Sequence, residues 1–294
     1  MNSEKAITEL ARSDYYAYTF LCLNEGIDFS KEPPRIKSTK FHKWLCKTVW
    51  DFITTETGDP YNMLLLSVPP QHGKSLHITE TLPSFFLGRY PEKRVIEASY
   101  GQDLAQKFGR ANKNKVKKFG YLFGISVSND AKSAVDWKLS NGIGGMISRG
   151  ILSGITGRSG DLIIVDDPIK NSEEAGSQKI RDKIWEEWQT SISSRIQAGT
   201  KIIVIQTRWH EDDLIGRLKD DPYAIYYNLE AVCESPNDPL GREFGEALCP
   251  EIGKDERWLL NFKEALCRGE ANEGGESGQR AWEALYQGHP TSKE

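Results

Sequence analysis

Two short stretches of the chain carry side chains whose types and spacing could do chemistry on a phosphate. In the first, residues 62–78, an apolar run leads into a tight loop that ends in Gly-Lys-Ser. In the second, the apolar run Leu162–Val165 is followed at once by Asp166 and Asp167. A lysine and a hydroxyl after one strand, with carboxylates after another, are the groups that bind a nucleoside triphosphate and Mg²⁺.

The Gly-Lys-Ser stretch predicts a phosphate-binding loop between a buried strand and a helix. N–H groups at the start of a helix favour an anion, so we expect the nucleotide phosphates there. Lys74 is expected to reach the β- and γ-phosphates, and Ser75 to hold Mg²⁺. The usual G-x-x-x-x-G-K-[ST] pattern begins with glycine, whereas this chain has Val68 at that position. The loop residues assigned to nucleotide binding are Pro70, Gln71, His72, Gly73, Lys74 and Ser75.

The two aspartates are expected at the carboxyl end of a strand, which is where ligands bind in open α/β sheets. Carboxylates at such a position are costly unless they hold a cation or activate water. Asp166 is therefore predicted to bind Mg²⁺, usually through water, and Asp167 to polarise the attacking water. The phosphate loop upstream makes the alternative, two solvated loop aspartates, the less favoured interpretation.

The composition narrows the class of protein. With 294 residues, 38% of them hydrophobic and 27% charged, the chain predicts a soluble globular protein with one large domain, or one plus a small appendage. No apolar run reaches the ~20 residues of a membrane span, and the N-terminus lacks a signal-peptide core. The five cysteines are scattered along the chain, which indicates reduced thiols rather than disulfides. The net charge is −4, so any contact with DNA must come from a local basic patch.

The patterning around these stretches predicts alternating strands and helices. Asn141-Gly142 favours a hairpin across residues 135–148, and Pro83 is expected to kink the helix after the phosphate loop. Buried strands are predicted at residues 63–66, 94–100, 162–165, 201–206 and 224–233. Helices are predicted at residues 3–24, 40–55, from the phosphate loop toward residue 90, 101–119, 173–198 and 257–266, and a polar loop at 268–279.

Three further features have both a functional and a structural interpretation. Arg158 is the one charged side chain of the glycine-rich segment 150–160, and its position just before a strand favours a functional arginine over a connector. The basic helix 101–119 could follow a DNA backbone, but a solvated basic face is the favoured interpretation. Residues 210–213, His-Glu-Asp-Asp, are consecutive and point around a helix start, so we interpret them as structural. The basic residues of the predicted helix 101–119 are Lys107, Arg110, Lys113, Lys115, Lys117 and Lys118.

Several segments make residues 35–290 resemble the large terminase subunit of tailed bacteriophages. They are P-P-Q-H-G-K-S, A-S-Y-G, I-T-G-R-S-G-D-L-I-I-V-D-D-P, Q-T-R-W-H-E-D-D-L-I-G-R-L and A-L-Y-Q-G-H-P. Phosphate loops without the first glycine are familiar in that family. The expected fold is an α/β P-loop NTPase of the RecA-like (ASCE) type, with a mainly parallel sheet flanked by helices. Residues 1–215 would form the ATPase core with an N-terminal helical segment, and residues 216–294 a small lid and a linker tail.

The resemblance implies an ATPase that moves double-stranded DNA into a procapsid, with ATP and Mg²⁺ as cofactors. Gln206 and Thr207 match the motif that senses the γ-phosphate. Arg158 matches the position from which a neighbouring subunit's arginine enters the site, which makes Lys74, Asp167 and Arg158 the catalytic set. Many relatives carry Asp-Glu where this chain has Asp-Asp, so Glu173 and Glu174 remain alternatives to Asp167.

The resemblance also implies partners and a location. The expected partners are double-stranded DNA, the portal protein, the small terminase subunit and further copies of the chain in a ring, with a monomer when alone and no membrane. The expected location is the host cytoplasm, transiently on the procapsid. Large terminases usually continue into a nuclease domain, and the chain ends where it should begin, so an isolated ATPase domain is expected. The alternatives are a helicase or remodelling ATPase of the same fold, and a nucleotide-gated assembly or DNA-binding module with negligible turnover.

Overall fold

The strands form a single mainly parallel sheet. The structure is a computed structural model that describes residues 3–29, 31–155, 157, 159–268 and 276–291. Its strands are β1 (Tyr61–Ser67), β2 (Arg94–Ser99), β3 (Asp136–Lys138), β4 (Gly145–Gly150), β5 (Leu162–Asp166), β6 (Thr200–Gln206) and β7 (Ala224–Asn228). They lie in the order β3-β4-β2-β5-β6-β1-β7, and every neighbouring pair is parallel except β3 and β4.

The apolar runs produce strands that are buried on both faces. In β1, Leu64 and Leu66 pack into a core on one face of the sheet, and Met63 and Leu65 pack into a core on the other. β5 and β6 alternate in the same way, as expected of parallel strands covered on both sides. The predicted mainly parallel α/β fold is therefore confirmed, and β6 lies between the strand before the phosphate loop and the strand before the two aspartates.

Helices cover both faces of this sheet. They are α1 (Ser3–Leu10), α2 (Tyr15–Leu23), α3 (Lys40–Thr54), α4 (Lys74–His77), α5 (Leu82–Arg89), α6 (Gln102–Phe119), α7 (Ser172–Gly176), α8 (Gln178–Glu187), α9 (Leu214–Leu218), α10 (Glu256–Cys267) and α11 (Glu276–Ala281). α2, α3, α5 and α6 contribute to one core, and α8 and α9 to the other. Among the described residues, no helix combines the length and the apolar character that a membrane span requires.

Two helices that were predicted as continuous are interrupted. The segment 3–24 is divided into α1 and α2, because the Asp14 side chain caps the second helix by accepting from Ala17 N at 2.6 Å. The segment 173–198 is divided into α7, α8 and a π-helical turn at Trp188–Ile192. Its apolar stripe recurs every four residues, whereas an α-helix turns every 3.6, so the stripe would drift by about 40° per step. The wider turn keeps Trp188 and Ile192 in the core.

Three other boundaries differ from the prediction. The predicted kink at Pro83 is instead a break, because α4 ends at His77 and Pro83 lies in the first turn of α5, where its missing N–H costs nothing. The strand predicted at 224–233 ends at Asn228. The loop predicted at 268–279 includes the start of α11, and its residues 269–275 lie outside the described part of the chain.

The C-terminal part of the chain is joined to the sheet and also has a small core of its own. β7 follows the proposed boundary at residue 215 and pairs in parallel with β1 as the edge strand. Beyond it, a separate cluster packs around Leu259 and Trp282. The boundary itself stays a prediction, but the second unit shares a strand with the sheet of the first.

The segment T-R-W-H-E-D-D-L forms a closed turn after β6. The Arg208 guanidinium is buried and donates from Nε to Asp213 Oδ2 at 2.8 Å. Asp213 also caps α9, since its Oδ1 accepts from Gly216 N at 3.0 Å. A Cβ at Gly216 would lie 1.8 Å from Glu211 O, so this close approach requires glycine. Asp213 therefore serves the turn, and Asp212 pairs with Arg181 and Arg217, in agreement with the structural interpretation of both aspartates.

Removal of the buried guanidinium should destabilise the fold. Arg208→Met leaves Asp213 as a buried, unpaired carboxylate, and we expect a loss of about 3–5 kcal/mol in the free energy of unfolding. The measurement is urea denaturation at pH 7. Lys47→Met is the control, because it removes one partner of the exposed pair Lys47–Asp51, and its loss should stay within about 1 kcal/mol. Equal losses in the two variants would contradict a structural role for Arg208.

Candidate functional site

The register of the parallel strands brings the predicted site residues to one edge of the sheet. Ser67 at the end of β1 pairs with Gln206 at the end of β6, and Asp166 at the end of β5 pairs with Ile205. The phosphate loop, the two aspartates and the segment after β6 are therefore neighbours. This is the carboxyl edge, where ligands bind in such sheets.

Lys74 is held by groups that follow two other strands. Its Nζ lies 2.6 Å from Asp167 Oδ2 and donates to Thr207 Oγ1 at 3.2 Å. Thr207 N donates to Asp167 Oδ1 at 2.8 Å, so the three residues form a closed set of contacts. Burial lowers the pKa of Lys74, but the carboxylates of Asp167 and Asp166 outweigh burial and the net pKa is raised. Lys74 is therefore a fixed positive charge beside the phosphate loop.

Asp166 is a buried carboxyl with one oxygen unused. Its Oδ2 accepts from Thr79 Oγ1 at 2.5 Å, and its Oδ1 has no hydrogen-bond partner among the described residues. Burial raises the pKa of Asp166 to about 6, and the charge of Asp167 adds to this, whereas Lys74, Thr79 and Ser75 lower it. An unused carboxylate oxygen next to the Ser75 hydroxyl fits the oxygen ligands that Mg²⁺ prefers.

The phosphate loop tolerates valine at its first position because that residue continues the strand. Val68 N donates to Gln206 O at 3.1 Å, and Val68 O accepts from Thr207 Oγ1 at 3.2 Å. Within the loop, positive φ angles occur at Gln71 (60°) and Gly73 (76°). A Cβ at Gly73 would lie 2.9 Å from His42 Nε2, so the second glycine of the pattern is the one that the geometry requires.

Three buried histidines pack behind the loop. The rings of His42 and His77 stack with centroids 3.8 Å apart, and His42 Nε2 lies 2.8 Å from His72 O. His72 Nδ1 and His77 Nδ1 each lie 2.9 Å from a loop carbonyl, those of Pro70 and Gly73. Burial lowers the pKa of His42, and it lowers the pKa values of His72 and His77 to about 3. The rings are therefore neutral supports of the loop backbone.

Some predicted site residues are elsewhere or outside the described residues. Glu174 Oε2 accepts from Lys170 N at 3.0 Å, so this carboxylate closes a turn, and Glu173 is exposed on the short helix α7. Both remain alternatives to Asp167, which is the carboxylate that contacts Lys74. Arg158 lies outside the described residues, so its catalytic role stays a prediction.

The basic helix α6 keeps little free positive charge. Lys107 pairs with Glu80 at 2.6 Å, and Lys118 pairs with Glu25. Lys113 is buried, with its Nζ donating to two backbone carbonyls. The structure favours the interpretation of α6 as a structural, solvated helix. Arg110 and Lys117 are its exposed basic residues that form no ion pair with a carboxylate in the described part of the chain.

Several residues of the site could not be recognised from the sequence. Thr79 lies in the turn after α4 and contacts Asp166, and Glu97 is buried in β2, where burial and then Asp166 raise its pKa well above the usual value. Lys254 contacts the loop from more than 180 residues further along the chain. Glu97 is a charged residue within the apolar run of β2, which is a signal that the sequence does contain. The contacts of Thr79 and Lys254 depend on how distant segments pack.

Comparison with known proteins adds a family to this geometry. Residues 65–283 match the family model described as "Terminase large subunit, T4likevirus-type, N-terminal". The chain belongs to the large terminase subunit family. The resemblance predicted from the sequence is thereby confirmed. No curated protein matches the chain significantly.

A solved terminase structure shares the fold. The crystal structure of the HK97 bacteriophage large terminase matches with a TM-score of 0.57 and 15% sequence identity, and the match covers 94% of this chain and 55% of that one. This terminase chain thus spans about half the length of that relative. The large terminase of a thermophilic bacteriophage matches with a TM-score of 0.41 and 11% identity, covering 65% of this chain and 45% of the other. A second structure of that thermophilic bacteriophage's large terminase, in complex with ADP, matches with a TM-score of 0.39 and 10% sequence identity. This match covers 64% of this chain and 44% of the other.

The raised pKa of Asp166 predicts a pH dependence of stability in the metal-free protein. The pKa rises from 3.8 to about 6 on folding, so ionisation opposes folding, and stability should fall as the pH rises from about 4 to about 6. Asp166→Asn removes the charge while its amide oxygen can still accept from Thr79. Above pH 6 this variant should be more stable than the wild type by about 2–3 kcal/mol. Urea denaturation in EDTA between pH 4.5 and 7.5 measures the difference.

The control for this experiment is Asp136→Asn on the exposed edge strand β3. Its difference from the wild type should not follow the same pH curve. An Asp166→Asn protein that is no more stable at pH 7 than at pH 4.5, relative to wild type, would contradict the raised pKa.

Proposed function

We propose that the chain is the ATP-hydrolysing motor part of a large terminase, which drives double-stranded DNA into a viral procapsid. The observation that carries the hydrolytic part is the contact set of Lys74, Asp167 and Thr207 next to a buried carboxyl with a free oxygen. Family membership supports the packaging role.

The contacts of Lys74 suggest how nucleotide binding would prepare the site. The ammonium of Lys74 is paired with the carboxylate of Asp167. The phosphates of ATP compete for this ammonium, because phosphate oxygens are strong acceptors and carry more charge. Once Lys74 moves to the phosphates, Asp167 Oδ2 is free to accept a proton or a hydrogen bond from the attacking water. Its Oδ1 stays attached to Thr207 N, which keeps the carboxylate oriented.

Ser75 and Asp166 are the proposed ligands of Mg²⁺. When bound, Mg²⁺ would neutralise phosphate charge and stabilise the charge that develops on the leaving oxygens. Thr79 orients Asp166 through its hydroxyl and leaves the other oxygen available. Burial raises the pKa of Asp166, and a bound cation would counteract this by favouring the ionised form.

Gln206 is proposed to sense the γ-phosphate. Its Oε1 is buried and has no partner among the described residues, although its backbone carbonyl accepts from Val68 N. Thr207, the next residue, touches Lys74 directly. A change in the phosphates would therefore reach the segment after β6 through two adjacent residues.

The partners of the whole packaging machine remain proposals for this chain. We propose double-stranded DNA, the portal protein, the small terminase subunit and a ring of copies of the chain, acting in the host cytoplasm and transiently on the procapsid. The exposed residues Arg110 and Lys117 of α6 are candidates for contact with DNA phosphates, since such contacts require unpaired charge.

A non-hydrolysing module is the second candidate, because the pairing of Lys74 with Asp167 occupies both groups that hydrolysis needs. The two functions differ in steady-state phosphate release. A module gated by nucleotide would bind ATP and release no phosphate beyond one equivalent. A motor would turn over continuously in the presence of Mg²⁺.

The roles of Lys74 and Asp167 predict distinct defects. Lys74→Ala should abolish hydrolysis and weaken ATP binding, because the phosphates lose their fixed cation. Asp167→Asn should retain binding and stop turnover, because the amide is a poor acceptor for a proton. Calorimetric ATP binding and phosphate release measure the two properties separately. Glu173→Gln and Glu174→Gln are the matched controls, and full activity in Asp167→Asn with a loss in either control would transfer the catalytic role to that glutamate.

Arg158 is predicted to act across a subunit boundary. A trans arginine is worth roughly 10³–10⁵ in rate, so the specific activity should rise steeply with protein concentration. When Arg158→Ala and Lys74→Ala chains are mixed, Arg158 of one chain can serve the intact phosphate loop of the other. Partial phosphate release should then return, while each variant alone stays inactive. A mixture without activity, together with a rate independent of concentration, would show that the arginine does not act in trans.

A further inference from the structure

A second lysine contacts the phosphate loop from the C-terminal part of the chain. Lys254 Nζ donates to Gln71 O at 2.7 Å and to Pro70 O at 3.4 Å. Gln71 has a left-handed φ of 60°, so the ammonium lies against the strained part of the loop. The lysine and the loop are separated by more than 180 residues of sequence, and folding alone brings them together.

The position of Lys254 is fixed by the segment around it. The backbone of Lys254 bridges to Cys249 across the turn at Pro250–Ile252. Asp255, the next residue, caps α10 by accepting from Trp258 N at 2.8 Å. Glu251 Oε1 accepts from Lys40 N at 3.0 Å, which ties the same turn to the start of α3. The side chain therefore extends from a rigid base toward the loop.

The charge of Lys254 is poorly compensated. Burial lowers its pKa, and among the described residues no carboxylate lies within ion-pair distance of its Nζ. Its other neighbour is the ring of Trp258, whose centroid is 5.7 Å from Nζ. By contrast, Lys74 has Asp167 at 2.6 Å. An ammonium that has only carbonyl dipoles and an aromatic face for partners gains more from an anion, because the anion adds a counter-charge and a partly buried charge is costly without one.

We propose that Lys254 is a second phosphate-binding lysine, which exchanges the loop carbonyls for a phosphate of the bound nucleotide. This inference rests on the proposed function, since it requires a nucleoside di- or triphosphate in the loop. The exchange ties the C-terminal segment to the nucleotide. The exchange also connects α10 to the nucleotide, because Lys254 immediately precedes Asp255, the N-cap of that helix. Within α10, the ring of Trp258 stacks on that of Phe262 with centroids 5.0 Å apart.

Amine labelling of the wild-type chain tests the exchange directly. Lys254 is half-buried and should react with acetic anhydride in the nucleotide-free protein, as judged by mass spectrometry of its peptide. ADP with Mg²⁺ should reduce this labelling several-fold. Lys263 lies on α10, with its Nζ 5.2 Å from the centroid of the Trp282 ring, and it is the internal control that should label equally with and without nucleotide. Unchanged labelling of Lys254 at saturating ADP would overturn the proposal.

Two substitutions separate phosphate binding from simple support of the loop. Lys254→Met removes both the donor and the charge, whereas Lys254→Gln keeps a neutral N–H donor for the carbonyls of Pro70 and Gln71. Loss of a charged hydrogen bond should weaken ADP and ATP binding about ten- to a hundred-fold in both variants. Binding of adenosine, which has no phosphate, should be unchanged. Lys263→Met is the matched control and should bind all three ligands as the wild type does.

The outcomes distinguish this inference from the proposed function. A wild-type chain that binds neither ADP nor ATP by calorimetry would overturn both. A second outcome is that the wild type and Lys254→Gln bind ADP and ATP with equal affinity, whereas Lys254→Met binds them more weakly. This outcome would show that Lys254 only supports the loop, and it would overturn this inference alone. Thermal melting of the nucleotide-free variants confirms that each compared protein is folded.

Discussion

The parallel register of β1, β5 and β6 is the constraint on which the rest of the structure depends. It places Ser67, Gln206 and Asp166 at one level, so the segments that follow these strands meet. The strands are buried on both faces, and successive side chains alternate between two separate cores. A slip of one residue would exchange the two sets of side chains and move the carboxylate away from the loop. The packing of the sheet and the geometry of the site therefore have the same origin.

Electrostatic balance within the site is local. Two lysines and two aspartates lie around the phosphate loop, while the three histidines behind it are neutral because they are buried. Asp166 is stabilised in the interior by Thr79 and by the nearby Lys74, yet one of its oxygens has no partner among the described residues. A buried polar atom without a hydrogen-bond partner is costly, so a cation or a hydrogen-bond donor from a ligand would be bound favourably at this oxygen of Asp166.

The segment after β6 contains structural residues that position the reacting groups without contacting the substrate themselves. Arg208 and Asp213 form a buried pair that closes a turn, and the guanidinium also donates to the Tyr226 hydroxyl at 3.2 Å. The turn begins at Thr207. Its backbone N–H donates a hydrogen bond to the Asp167 carboxylate, and its side-chain hydroxyl donates one to the backbone carbonyl of Val68. A motif that is distinctive in the sequence can therefore be needed for position, while the reacting groups lie next to it.

The sequence alone determined those features that follow from local patterns. Unbroken apolar runs predicted the buried strands, and Gly-Lys-Ser with Asp-Asp predicted the two strand ends that meet, because strand type and turn chemistry depend on neighbouring residues. The family followed from the same segments. The length of helices was less predictable, since the breaks at Asp14 and Trp188 arise from a side-chain cap and from packing of a four-residue stripe.

Only the tertiary structure decided which groups touch. Lys113 looked like a candidate for DNA contact, but folding buries it against two carbonyls. Thr79 and Lys254 carry no local signal of a site, yet they contact Asp166 and the phosphate loop, respectively. The physical reason is that these contacts join segments far apart in the chain, and their strength depends on burial and distance, which no short window of sequence contains.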